Sequence, residues 1–389
     1  MSFSKLSKHA ISFVPSETSF DKKELKDVDL EQGLILTHFE DCNNLSEKNI
    51  KEKRGIITDM NGNLVCKTFP FIDEYTPFEL ENKNNILMTK NLRFFESHEG
   101  TLVRLYYYNN HWNLSTHKKI NAFDSHWGSK ESFGQMFINA LIHEVKTNKI
   151  LEYEKEEDIF DRYCMMLDPN YVYCYLVKNT LENRIVCDSP TNPTLFCLGI
   201  FDKQGTLQVY DEKQDEKVNS YIESPLEIKF KSVREVFEYV NNIYYRKLQG
   251  LLVYKPDGTL FKILNMKYHE LYSIRGNQPS LKFRYLQIRK NEELVKKLIS
   301  LYPYKESRFE FYENNLRLLS IKIFNAYIKR FIHKEYIILE KPQYALMMNI
   351  HSKYIENKIK ITQELVYNTI NDLDPSKLMS LLRSLSKNN

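Results

Sequence analysis

Residues 93–133 read RFFESHEGTLVRLYYYNNHWNLSTHKKINAFDSHWGSKESF. Leu102, Arg104 and Tyr106 alternate with Val103, Leu105 and Tyr107, Asn109-Asn110 interrupts, and Trp112 to Thr116 resumes an extended pattern. Alternation on both sides of an Asn-Asn pair predicts a β-hairpin. Working outward, RGIITDMNGNLVCKTFPF, residues 54–71, predicts a second hairpin turning at Asn61-Gly62-Asn63. VYCYLVKN and NRIVCD predict a hairpin-like pair, and PTLFCLGIFDKQGTLQVYD another that turns at Lys203-Gln204-Gly205. LLVYKPDGTLFKIL turns at Pro256-Asp257-Gly258. Helical spacing of Phe133, Met136, Phe137, Ala140, Leu141 and Val145 predicts an amphipathic helix over 131–147, and residues 230–245 read as another. Paired strands with interposed helices make an α+β domain built on antiparallel sheets.

Just ahead of the central hairpin stands Ser97-His98-Glu99-Gly100. It occupies the place of the Lys-x-Asp-Gly motif of the covalent nucleotidyltransferases, ligases and capping enzymes, whose lysine becomes AMP- or GMP-linked. The likeness continues in order along the chain. Arg54-Gly55-Ile56 followed by Val65 to Pro70 is similar to the early Arg-Gly strand pair of that superfamily's phage-type RNA ligases, the RNA ligase 1 class, and of their relatives in large DNA viruses. Asn183-Arg184-Ile185-Val186 matches a segment after their third motif, and Gln249-Gly250-Leu251-Leu252-Val253 resembles the Glu-Gly-hydrophobic-Val fourth. Lys262-Ile263-Leu264, then Tyr268, resembles the Lys-x-Lys fifth. The match spans residues 50–285, and order and spacing carry it.

The resemblance implies a nucleotidyltransferase fold, and it also marks what is missing. Covalent nucleotidyl transfer needs an amine to attack the α-phosphate, carboxylates to hold metal and ribose, and lysines to neutralise phosphates. Ser97 removes the amine, Gln249 the fourth-motif carboxylate and Leu264 the second lysine of the fifth motif. Tyr173-Cys174-Tyr175-Leu176-Val177 brings no acid to the third motif. Glu99, Gly100, Arg54 and Lys262 are retained. Four losses in one direction imply a scaffold without its chemistry, with no catalytic residue, no metal site and no cofactor. ATP and magnesium would enter only if a displaced lysine, Lys90, Lys118 or Lys119, replaced the nucleophile.

Composition bounds the rest. Across 389 residues, 55 Lys and Arg against 51 Asp and Glu leave a formal charge of +4, so a nucleic-acid site must come from local clustering. The best such cluster surrounds the hairpin: Arg104, Lys118, Lys119, Lys130, His117 and His126, with Trp112 and Trp127 as the two tryptophans. Two indoles could clamp a base as single-stranded RNA readers do; a core Trp112 with an edge-packed Trp127 is the alternative. Arg54 reads as a phosphate contact by analogy or as an exposed strand-end arginine. The six cysteines show no metal-ligand spacing and fit buried free thiols in a reducing compartment. Glu154 to Asp158 reads as a charged helix start. No apolar run reaches spanning length, so no membrane partner is expected and a cytoplasmic protein, or one in a viral replication compartment, is.

Residues 1–30 read as a loosely held lead-in to a domain ending near 285. Beyond it, helical periodicity takes over: Leu294, Leu298 and Leu301, then Phe309, Tyr312, Leu316, Leu319, Ile323 and Tyr327, then helices near 343–357, 361–371 and from Ser376. Residues 286–389 are thus expected to form an all-helical domain. RNA ligases of the resembled class carry a helical C-terminal domain that recognises RNA, and a protein partner is the other expectation. Three functions follow from the reading: an RNA-, nucleotide- or cap-binding protein lined by Arg54, Glu99, Gly100, Arg104, Trp112, Lys118, Lys119, Trp127, Arg184 and Lys262; a scaffold or assembly protein; and an active ligase with a displaced lysine.

Overall fold

The computed structural model describes residues 24–81, 86–87, 89–180, 185–208 and 218–385. Thr101–Tyr108 and His111–Ser115 pair as the central hairpin, with Asn109 and Asn110 at φ 50° and 61°. Two consecutive left-handed residues give the turn whose twist matches the strands, and asparagine tolerates that region better than most side chains.

Fourteen strands occur among the described residues: β1 Glu24–Asp29, β2 Leu34–Phe39, β3 Arg54–Asp59, β4 Leu64–Cys66, β5 Asp73–Tyr75, β6 Arg93–Ser97, β7 Thr101–Tyr108, β8 His111–Ser115, β9 Val172–Lys178, β10 Thr194–Phe201, β11 Leu207–Gln208, β12 Glu227–Ile228, β13 Gly250–Tyr254 and β14 Leu260–Leu264. They form three sheets: β1-β2-β3-β4, β11-β10-β9-β7-β8, and β12-β6-β13-β14-β5. Among the described residues the strand pairings are antiparallel apart from β14 with β5. The fold is α+β, as the alternating patterns imply.

Strand β9 is buried on both faces, which is why its sequence is a continuous apolar run. Tyr173 and Tyr175 face one core with helices Phe133–Asn148 and Ile159–Met166, while Cys174 and Leu176 face another with Leu36, Ile57, Phe69, Leu252 and Leu260. A third core packs the far side of β13 and β14 on helices Pro77–Glu81 and Val233–Asn242. Each fully buried side chain of this size contributes roughly 1.5–3 kcal/mol. Five of the six thiols are buried, and all are free.

Two expectations change here. Glu24–Asp29, inside the expected lead-in, is an edge strand whose Asp27 accepts from Lys119 Nζ at 2.7 Å and from Ile120 N at 2.9 Å. The NRIVCD strand does not form over its described residues, 185–188; β9 pairs with β7 and β10 instead.

The chain divides into two compact units, residues 1–269 and 270–389. Helix Met266–Arg275 precedes residue 286 and helix Leu281–Ile288 begins before it, so helical structure starts earlier than the change of period suggests. In the second unit, helix Glu306–Tyr327 buries Leu316, Leu319 and Ile323, and Ser280, Asn291 and Thr362 cap their helices. No helix among the described residues is long and apolar enough to cross a membrane.

Candidate functional site

The chain brings together the positions that the sequence likeness links. Ser97 on β6, Gly250 on β13 and Leu264 on β14 are direct cross-strand partners. Ser97 Oγ donates to Gln249 Oε1 at 3.2 Å, and Gln249 N donates to Ser97 O at 2.8 Å. Ser97 and Leu264 are 3% and 1% exposed, and Gln249 is 8%. Gly250 has φ +155°, and a Cβ there would lie 1.9 Å from the Ile263 carbonyl oxygen, so only glycine permits the approach. Ser97 and Gln249 therefore meet side chain to side chain, and Leu264 is buried on the opposite side of Gly250, so the three positions offer a hydroxyl, an amide and an isobutyl group. None of these supplies a nucleophilic amine or a charge.

Lys262 lies in register with Glu74 on β5, and the two side chains pair at 2.8 Å. Burial would raise the Glu74 carboxyl, but Lys262 and then Arg54 hold it below its usual range. Lys262, expected from the resemblance to be a phosphate-neutralising lysine, thus has a carboxylate partner within the fold.

Glu99 accepts from the backbone N–H of Ile185 at 2.7 Å, Val186 at 3.1 Å and Cys187 at 2.5 Å. Burial pushes its carboxyl up, against the pull of these donors. Its lone pairs anchor the loop that the sequence suggested was a strand. A Cβ at Gly100 would come within 2.6 Å of the Val177 carbonyl oxygen, which explains the glycine by close packing on β9. His98 stacks on Phe196 at 4.6 Å and lies 3.2 Å from Glu96; burial, then Lys178 and Lys247, pushes it down to about 3.

Several expected groove residues are placed elsewhere. Arg104 is completely buried: its Nη1 donates to the Gly55 carbonyl and its Nη2 to Thr116 O at 2.5 Å. It does not line a surface groove. Trp112 packs on the core with Tyr107 and Tyr173 as ring neighbours at 5.4 and 6.2 Å, so it acts as a core residue. Trp127 is half-buried in the following loop. Lys119 pairs with Asp27, and Lys118 is exposed with no ionic partner among the described residues. Arg184 lies outside the described residues.

A cluster of two arginines and two histidines emerges instead, of which the sequence signalled Arg54, Arg104 and His117 but not His38. His38 and Arg54 are cross-strand partners on β2 and β3, and Arg104 and Ser115 on β7 and β8. Cross-strand partners point to one side of their sheet. The Arg104 bond to Gly55 draws the two sheets together, and His117 follows directly after Thr116, the other acceptor. Burial lowers His38 to about 4, with Lys118, Arg54 and Arg104 adding to the effect. Burial, Arg54, Arg104 and His38 lower His117 well below its usual value. Arg54 Nη1 donates to Pro70 O at 3.0 Å. His38 Nδ1, Arg104 Nε, Ser115 Oγ and His117 Nε2 are buried without a hydrogen-bond partner. Each such atom costs about 1–3 kcal/mol when left unmatched.

A shallow hollow of about 440 Å³ is lined by Ile86, Thr89, Lys255, Pro256 and Asp257, none of them a motif residue. No group of three or more His, Cys, Asp or Glu suited to a metal occurs among the described residues.

The chain resembles viral immediate-early proteins. It is 26% identical over 351 residues to the immediate-early protein ICP-46 homolog of Invertebrate iridescent virus 6, covering 85% of this chain and 76% of the relative. The corresponding protein of Invertebrate iridescent virus 3 is 26% identical over 360 residues, covering 87% and 74%. Immediate-early protein ICP-46 of Frog virus 3 is 28% identical over 210 residues, covering 52% and 51%. No protein-family model matches. Among solved structures, an archaeal ATP-dependent RNA ligase is similar with TM-score 0.41 and 12% identity, covering 77% of this chain and 76% of that one. A putative ATP-dependent DNA ligase from Aquifex aeolicus has TM-score 0.39 and 15% identity, with 85% of both chains covered.

Proposed function

We propose that this chain is a catalytically degenerate RNA ligase-like protein that binds RNA or a nucleotide-bearing 5′ end without forming a covalent adduct. In this reading it serves as a viral RNA-handling or recruitment factor, in keeping with its viral immediate-early relatives. One observation carries the reading: Ser97 and Gln249, far apart in sequence, bond to each other in a buried spot, with Leu264 buried across Gly250, at the positions where the resemblance would put Lys, Glu and Lys. A scaffold retained for binding after loss of chemistry would look like this.

The test is fluorescence anisotropy with 3′-labelled RNA bearing a cap, a 5′-phosphate or a 5′-hydroxyl, over a salt series. Binding that weakens with salt at a slope of about −0.7 per phosphate contacted, and that exceeds binding to DNA of the same sequence, supports the reading. Equal weak binding to every polyanion counts against it.

A second reading, a scaffold or assembly protein, is favoured by one feature of the helical unit. Tyr336 and Ile338 are 87% and 84% exposed on the extended segment before helix Lys341–Asn357, apolar surface of the kind that partners cover. If no RNA binds above the non-specific level, this second reading replaces the first.

A further inference from the structure

We propose that the His38, Arg54, Arg104 and His117 cluster is an oxyanion site that takes a terminal phosphate monoester. The inference deepens the RNA-end reading and rests on it for the identity of the ligand, while the site itself rests on geometry.

The first ground is charge. Two guanidinium groups share this enclosed region, and the carboxylate that acts on Arg54, Glu74, already pairs with Lys262 at 2.8 Å. The charges acting on His38 and His117 are cationic, from Arg54 and Arg104 on both and from Lys118 on His38. A buried guanidinium such as Arg104 calls for an anionic partner, and among the described residues no ion pair to Arg104 or Arg54 is formed.

The second ground is the set of unmatched atoms. Arg104 Nε, Ser115 Oγ, His38 Nδ1 and His117 Nε2 are enclosed without partners. Arg104 and Ser115 are 0% exposed and His38 is 4%, so bulk water does not satisfy them. They lie on β2, β7, the end of β8 and the segment after it, and the Arg104 to Gly55 and Arg104 to Thr116 bonds tie β7 to β3 and to the segment after β8. Arg104 and His38 are buried, Arg54 and His117 are partly exposed, and Lys118, whose charge acts on His38, is exposed.

The third ground is stoichiometry. A carboxylate brings one charge; a phosphate monoester brings close to two, with three strong acceptor oxygens. That matches two guanidiniums and several donors. Three of these groups, His38, Arg104 and His117, lie outside the Ser97, Gln249 and Leu264 spot, so anion recognition here does not depend on the lost catalytic positions.

The experiment is isothermal titration of the full chain with inorganic phosphate, with AMP, and with one RNA oligonucleotide in 5′-phosphate and 5′-hydroxyl forms, all at fixed ionic strength. Arg54→Gln and Lys118→Gln are measured alongside, the second an exposed change that leaves folding intact. The 5′-phosphate form is expected to bind at least about tenfold more tightly than the 5′-hydroxyl form, the worth of one charge-assisted hydrogen bond. Arg54→Gln should abolish that preference and Lys118→Gln should reduce it. RNA binding without end preference, or a preference that both variants keep, would overturn the site and leave the RNA-binding reading standing. Phosphate and AMP binding lost in Arg54→Gln, with no binding of either RNA, would uphold the site and sink the RNA reading.

Discussion

Ser97 Oγ donates to Gln249 Oε1 at 3.2 Å across β6 and the entry to β13, in a spot where both residues are almost completely buried. Two neutral side chains thus satisfy each other where the resemblance would put an amine and a carboxylate. Reinstating only the amine should be costly. Ser97→Lys places an ammonium in this enclosure and is expected to lower stability by roughly 2–4 kcal/mol, with Ser97→Lys/Gln249→Glu recovering part of the loss. Urea unfolding of the three proteins checks this; a single variant as stable as the parent would show that the spot is open to water.

Gly250 touches the β14 backbone. Because its φ is +155° and a Cβ would fall 1.9 Å from Ile263 O, Gly250→Ala must separate β13 from β14. A loss above about 3 kcal/mol is expected. Chemical denaturation that finds the variant within experimental error of the parent would contradict the backbone geometry at this position.

Arg104 is a structural tie. Truncation to alanine leaves the Gly55 and Thr116 carbonyl oxygens without this donor and opens a cavity between β3 and β8. A loss of about 3–5 kcal/mol is expected for Arg104→Ala. Thermal unfolding is the readout, and a surface-like effect below about 0.5 kcal/mol would place the guanidinium in solvent after all.

Stability should fall with acid through the buried histidines. His98 is held down to about 3 and His38 to about 4, against 6.5 for a free imidazole. A base whose folded value is depressed binds its proton first in the unfolded chain. The stability it contributes is therefore full above pH 6.5 and lost as pH falls toward the folded value. Each group removes about 1.4 kcal/mol per pH unit inside that window. His98→Phe keeps the stack on Phe196 and should flatten the slope of stability against pH between 6 and 4.5 by about one proton. An unchanged slope would mean that His98 protonates freely in the fold. Glu99 works in the opposite direction, since a carboxyl pushed up by burial favours the folded state as pH falls.

How much of this could be read beforehand depended on whether the cue was local. The central hairpin announced itself through alternation and Asn109-Asn110, and the β13 and β14 hairpin through Pro256-Asp257-Gly258; in both, the turn residues and the period agree. Glu24–Asp29 was illegible as a strand because an edge strand buries little, and its polar residues show no alternation of apolar side chains. Residues 185–187 carry a strand-like apolar composition, but their N–H groups are used by Glu99, a partner some 86 residues away. Arg104 sits in an alternating run where a charge reads as outward-facing. Its interior position depends on carbonyls at Gly55 and Thr116 that only the folded sheets deliver. His38 enters the cationic cluster for the same reason, through its register with Arg54.

The central claim is that nucleotidyl transfer has been lost from this scaffold. The direct measurement is incubation of the full chain with α-labelled ATP, and separately GTP, with magnesium or manganese, followed by denaturing electrophoresis and peptide mapping. The account predicts no labelled band under conditions in which the same preparation still binds RNA by anisotropy. An acid-labile, base-stable label mapped to a lysine would contradict it, because a phosphoramidate can form only if an amine has taken over the role that Ser97 cannot fill.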